Sequence, residues 1–125
     1  MNVGIIGSRS FSDYQLCHDS ILDVISPRDI EAIVSGGAQG ADSIGVDFAK
    51  EYNIPTQIFY PDWQKHGKGA GFIRNTRIVN HSNFIVAFWD GQSRGTQDTM
   101  QKARKKEVPV WVVCYGNNPI LRFYY

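Results

Sequence analysis

Disulfide chemistry is the first thing this sequence leaves out. Its 125 residues hold two cysteines, Cys17 and Cys114, too few for a disulfide framework and without metal-ligand spacing. Core packing is the expected use of both. His18, His66 and His81 form no metal set, and neither a Ser-His-Asp nor a Cys-His arrangement is visible. No apolar run approaches the ~20 residues that span a bilayer. Met1-Asn2 meets Gly4 almost at once, without the basic-then-apolar layout of a signal peptide. These absences point to a reducing cytoplasm, with no membrane, metal or cofactor expected.

Carboxylates are missing from one long stretch. Between Trp63 and Trp89 there are none, while Lys65, Lys68, Arg74 and Arg77 are present with His66 and His81. Between Ser10 and Asp62 the balance reverses, with nine carboxylates against Arg28 and Lys50 only. The whole chain sums to a net charge of +1. A balanced total argues against a protein that simply coats nucleic acid, so nucleic acid is not the expected partner. A basic stretch inside that total suggests a small anionic ligand.

What remains is an ordinary globular composition, 42% hydrophobic and 20% charged. A single domain is expected, burying roughly 65–70% of its unfolded surface. Short β-branched runs alternate with helix-period segments, the pattern of a parallel α/β sheet. Strands are expected at Val3–Ile6, Ala32–Val34, Ile54–Phe59, Phe84–Phe88 and Val108–Val113. Pro109 suggests an edge position for the last of these. A first helix follows Ser12, read as its N-cap, and ends at Pro27. The second, Ala41–Tyr52, repeats apolar residues at i, i+3, i+4, i+7 and i+8, with Asp42, Asp47, Lys50 and Glu51 outward. Gly45 on its buried face would let it approach the sheet closely. Residues Tyr60 to Gly71 look irregular. Helices over Phe72–His81 and Thr96–Glu107 follow, the latter ending in a solvated run of Lys102, Arg104, Lys105 and Lys106.

In an open parallel sheet, ligands bind beyond the carboxyl ends of the strands where the strand order reverses. Three loops fall there: Gly7-Ser8-Arg9; Gly36-Gly37-Ala38-Gln39-Gly40; and Asp90-Gly91-Gln92-Ser93-Arg94-Gly95-Thr96. The second leads into a helix start, where glycine backbone, unpaired amides and the dipole favour a phosphate. Asp42 in its first turn could cap the helix or hold a ribose hydroxyl. The loop lacks the Gly-Lys-Ser/Thr of a P-loop and the spacing of G-x-G-x-x-G. The competing reading is a tight turn with ordinary capping. In the third loop, Ser93 and Thr96 offer hydroxyls to a phosphate, or Thr96 is an N-cap. Asp90 could receive a hydroxyl or a ring nitrogen, or simply start the turn. Arg74, beside Asn75, has no acidic neighbour in sequence and supplies a planar fork for an anion. Arg9 is a candidate by position. Trp63 and Phe72 could stack on a base, although such aromatics more often sit in a core.

The ordered strings Gly7-Ser8-Arg9, Ser35-Gly36-Gly37-Ala38-Gln39-Gly40-Ala41-Asp42, Pro61-Asp62-Trp63 and Gly67-Lys68-Gly69-Ala70-Gly71-Phe72-Ile73-Arg74-Asn75 resemble the SLOG superfamily, which joins the SMF/DprA and LOG proteins. The match is nearest to its YspA-related branch of small single-domain proteins and runs from Val3 to Val113. The resemblance implies a Rossmann-like three-layer fold: a mostly parallel five-stranded sheet with helices on both faces, over residues 1–114. An aromatic tail, 115–125, would dock on the domain or at a subunit interface, and a homodimer or larger homo-oligomer is expected. By position, Gly36, Gly37, Gly40 and Asp42 match the family's first loop, and Arg74 with Asn75 its Arg-Asn motif. Ser93-Arg94-Gly95-Thr96 resembles the Gly-Thr loop of the LOG branch.

LOG enzymes cleave the N-glycosidic bond of nucleoside monophosphates with a glutamate after that pair. Here Thr99 takes the third position after Thr96, and the nearest acid is Asp98. Binding therefore transfers better than catalysis. The leading expectation is a sensor or sequestering protein for an ADP-ribose-like or cyclic nucleotide. A hydrolase using Asp98 or Asp42 is the first alternative. Single-stranded nucleic-acid binding through Lys65, Lys68, Arg74 and Arg77, as in the DprA branch, is the second.

Overall fold

The computed structural model describes residues 1–125. Six strands form one sheet: β1 (Asn2–Gly7), β2 (Ala32–Ser35), β3 (Thr56–Ile58), β4 (Phe84–Trp89), β5 (Val110–Cys114) and β6 (Leu121–Tyr124). Their order is β3-β2-β1-β4-β5-β6, parallel throughout except for the antiparallel β5–β6 pair. The order runs backwards from β1 to β3 and forwards from β4. The gap between the carboxyl ends of β1 and β4 is therefore the topological switch point.

β1 and β4 read as unbroken apolar runs because both of their faces are covered. Strand alternation sends Val3, Ile5, Val86 and Phe88 into one core layer and Ile6, Ile85 and Ala87 into the other. The first layer is closed by helices α1 (Tyr14–Val24) and α2 (Ala41–Glu51) through Cys17, Ile21, Ile44 and Phe48. Phe11 stacks on Phe88 within it at 4.6 Å. The second is closed by α4 (Ala70–Asn80) and α5 (Arg94–Lys105) through Ile78, Val79, Met100 and Ala103. Each fully buried aliphatic or aromatic side chain contributes roughly 1.5–3 kcal/mol. In α2 a Cβ at Gly45 would stand 2.7 Å from Ile5 Cβ, so the missing side chain is what lets the helix sit on β1.

Several expectations are corrected. The sheet has six strands, not five, because Leu121–Tyr124 of the aromatic tail pairs with β5. β5 is consequently an inner strand. Pro109 precedes it and serves as an acceptor, its carbonyl taking the Ile85 amide at 3.0 Å. The N-cap of α1 is Asp13, whose carboxylate accepts the Leu16 amide at 3.0 Å, and not Ser12. The stretch read as irregular holds a short helix, α3 (Trp63–His66), capped by Asp62 through the Lys65 amide, and then a 3-10 turn at Gly67–Gly69. α5 begins two residues earlier than expected, with Ser93 as its cap in place of Thr96. At its far end Lys102 is not part of a solvated run: its ammonium lies 2.8 Å from Asp98 and reaches the Phe72 carbonyl on α4.

Candidate functional site

Two clefts open side by side along the carboxyl rim of the sheet. The first, about 480 Å³, lies at the switch point and is lined by Gly7, Ser8 and Arg9 after β1, by Asp90 and Ser93 after β4, and by Gly95 and Thr96 in the first turn of α5. Ala38, Asp42, Arg74 and Asn75 also line it. The second, about 450 Å³, is lined by Gly36, Gly37, Gln39, Tyr60, Pro61 and Trp63. Arg9, Ala38 and Arg74 belong to both, so the two clefts form one groove with two arginines at its waist.

The strand ends are locked together before any ligand arrives. The Ser8 amide donates to the Phe88 carbonyl at 2.9 Å, and the Asp90 amide donates back to the Ser8 hydroxyl at 3.1 Å. Asp90 folds its carboxylate over the loop that follows. Its Oδ1 accepts the amides of Gln92 and Ser93, each at 2.8 Å. Burial works against that ionised carboxylate, yet these amides hold it below its usual range. Ser93 and Thr96 share a hydroxyl–hydroxyl hydrogen bond at 3.1 Å on the rim.

Beneath the glycine loop the structure departs from the periodicity. Asp42 does not face outward with the other polar residues of α2. It is 6% exposed, and its Oδ2 accepts the Ala38 amide at 3.1 Å. Burial pushes this carboxyl up to about 6, against the Ala38 amide and the Arg74 guanidinium, which pull it down. The Gly37 amide is taken at 3.3 Å by the Ser35 hydroxyl. Two of the loop amides expected to cradle a phosphate are thus occupied from within. The glycines make room instead. A Cβ at Gly36 would stand 2.6 Å from Arg74 Nη1, and at Gly40 (φ 77°) it would collide with the carbonyls of Ser8 and Arg9.

Arg74 reaches the groove from the first half of α4. It donates through Nη1 to the Gly36 carbonyl and through Nε to Asn75 Oδ1 at 3.0 Å. Asn75 is buried and spans to α5, donating to the Gly95 carbonyl at 3.3 Å and to Asp98 at 3.2 Å. Every residue expected to touch a nucleotide lines one cleft or the other except Gly40, which packs its loop against Ser8 and Arg9. Of Lys65, Lys68, Arg74 and Arg77, expected to meet a single strand, only Arg74 lines either cleft, and Phe72 lines neither. Asp98 also lies off the lining, its carboxylate held by Lys102 and Asn75. No group of three or more His, Cys, Asp or Glu side chains gathers to hold a metal ion. No helix is long and apolar enough to cross a membrane.

The sequence reading missed Tyr60, and it favoured a core position for Trp63. Both are on the surface, 66% and 55% exposed, and both line the second cleft. The available signal was their position directly after a strand, flanking Pro61.

A Rossmann-like sheet with its groove at the β1/β4 switch point, walled by a glycine loop and an Arg-Asn pair, defines a SLOG-type domain. Residues 1–66 match the model of the YspA, cpYpsA-related SLOG family (YAcAr), and the chain belongs to that family. It is 34% identical over 123 residues to the Gene 61 protein of Mycobacterium phage D29, covering 92% of this chain and 96% of that protein. Among solved structures it is similar to DNA processing protein A from Helicobacter pylori, described for its single-stranded DNA binding mode: TM-score 0.68, 22% identity, 90% of this chain. It is also similar to DNA processing protein A from Streptococcus pneumoniae, with a TM-score of 0.72, 19% identity and 89% of this chain. The chain spans 64% and 49% of the length of those two.

These likenesses correct two expectations. A nucleotide signal as the ligand, and nucleic acid as an unexpected partner, do not stand beside a solved protein of this fold, the one from Helicobacter pylori, that is described for its single-stranded DNA binding mode. The physical reason lies in the averaging of charge. Asp13, Asp19, Asp23, Asp47 and Glu51 belong to α1, its cap and α2, on one side of the sheet. Lys65, Lys68, Arg77 and Arg94 belong to the elements from α3 to α5 that follow β3. The +1 total sums two separated sides and says little about either.

Proposed function

We propose that this protein binds single-stranded nucleic acid along the groove at the carboxyl rim of its sheet. The observation that carries the reading is the pairing of Tyr60 and Trp63, both largely exposed, with Arg9 and Arg74 in one continuous groove. Exposed aromatics give unpaired bases a stacking surface worth about 1–3 kcal/mol each, and arginines track the phosphates. Because the arginines sit where the clefts meet, a phosphate at the waist would send one nucleotide into each cleft. A duplex keeps its bases stacked inside and cannot deliver them to Tyr60 and Trp63. Absence of carboxylates from Trp63 to Trp89 leaves the α3–α4 wall of the groove without repulsion toward a polyanion. The fold shared with the DNA processing proteins supports the same reading.

Fluorescence anisotropy with a mixed-sequence single strand of about 16 nucleotides, against the matching duplex, tests it. The single strand is expected to bind more tightly, with affinity falling linearly on a log–log salt plot. Equal affinity for the duplex, or a complex indifferent to salt, would overturn the reading.

A further inference from the structure

The switch-point cleft carries a feature that a phosphate groove does not need. Asp90 stands in its wall as an ionised carboxylate, and Asp42 lines the same cleft. A phosphate is repelled from that space and held back at Arg9 and Arg74. A base is not repelled, and a carboxylate accepts hydrogen bonds from a base's amino group. Asp90 is held in place by hydrogen bonds to the loop around it. Its amide is bound to Ser8 Oγ, Oδ1 accepts the Gln92 and Ser93 amides, and the Ser8 hydroxyl further favours the ionised carboxylate. Oδ2 takes neither of those amides and can accept one more donor. A cleft of 480 Å³ lies within the range of about 300–1,000 Å³ usual for small-ligand sites, ample for one nucleotide.

We infer that Asp90 is a specificity-determining residue that selects, in the switch-point cleft, a base presenting an exocyclic amino group over thymine or uracil. Cytosine offers its N4 amino donor where uracil offers the O4 acceptor, and a carboxylate accepts from the first and repels the second. This inference rests on the single-strand reading of the groove and adds base selection to it.

The test compares anisotropy titrations of oligo(dC) and oligo(dU) of equal length at neutral pH, for the wild-type protein and for Asp90→Asn. Asparagine keeps an oxygen for the Gln92 and Ser93 amides, so the loop retains its shape, while its free amide position can donate to uracil O4. The wild-type protein is expected to bind oligo(dC) about tenfold more tightly, and Asp90→Asn to bring the two within about twofold. Asp90→Ala serves as the second variant and should also abolish the difference. Equal wild-type affinities, or a ratio that survives both substitutions, overturn the inference while leaving the groove reading intact. Failure of the wild-type protein to bind either strand overturns the groove reading and base selection with it.

Discussion

Arg74 donates through Nη1 to the carbonyl of Gly36, a residue 38 positions earlier in the chain, and so ties α4 to the glycine loop after β2. That bond holds the guanidinium between the two clefts. It is possible only because Gly36 has no side chain: a Cβ there would stand 2.6 Å from Nη1 and 2.8 Å from Asp42 Oδ2.

Gly36→Ala should therefore displace Arg74, whose far end is flexible, and press on the buried Asp42 carboxylate, costing some stability while the fold is retained. Circular dichroism should show a native spectrum. The salt slope for single-strand binding should fall by about one, as in Arg74→Ala, because one phosphate contact is lost. An unchanged slope in Gly36→Ala would show that the guanidinium is not held by this loop.

Trp63→Ala and Tyr60→Ala each remove an exposed ring, so melting temperature should barely change. Single-strand affinity should drop by about 1–3 kcal/mol for each. A Phe72→Ala control should have a smaller effect, because Phe72 is equally on the surface but lines neither cleft and lies under the Lys102 ammonium. Equal losses in all three would argue for general surface stickiness over a groove.

Much of this molecule was legible beforehand, for physical reasons that also explain the misses. Buried parallel strands write themselves as apolar runs, so β1, β2, β4 and β5 stood out. The i, i+3, i+4 spacing of Ala41, Ile44, Gly45 and Phe48 described the buried face of α2 faithfully. Asp42 broke the pattern because its partners come from outside the helix: the Ala38 amide and the Arg74 guanidinium are invisible to a helical wheel. β6 escaped because all four of its residues are exposed, leaving no inward–outward alternation to detect. α3 was hidden by the flanking Pro61 and Gly67, which in fact bound it. Three loops pointed to many of the residues that line the clefts, but not to Tyr60, and two amides assigned to a ligand there donate to Asp42 and Ser35 instead.

Asp42 makes stability depend on pH in an unusual direction. An aspartate carboxyl ordinarily titrates at about 3.9, and burial pushes this one up to about 6 in the fold. Between those values the folded chain keeps a proton that the unfolded chain has lost. The stabilisation is therefore fully present below the lower value and is lost as pH rises through the upper one, by roughly 3 kcal/mol in all. Asp42→Asn retains an acceptor for the Ala38 amide and carries no charge. Thermal melts at about pH 4 and pH 7 should show the wild-type protein losing, relative to this variant, the stability just described. Parallel pH profiles would contradict the assignment.

Gly40→Ala should be far more damaging than Gly36→Ala. Its φ of 77° disfavours any side chain, and the new Cβ would meet the Ser8 and Arg9 carbonyls, which are backbone and cannot swing aside. A loss of several kcal/mol, on the order of 2–4, is expected in urea denaturation. A near-neutral result would show that the loop packs differently against β1.

Amide chemical-shift mapping with a short single strand tests the central claim most directly, because it reports where binding happens residue by residue. Perturbations are expected only at residues 8–10, 36–39, 60–65, 74–75 and 90–96, the segments around the groove. Shifts gathered on α1 and α2, or along β6, with these segments silent, would contradict that claim.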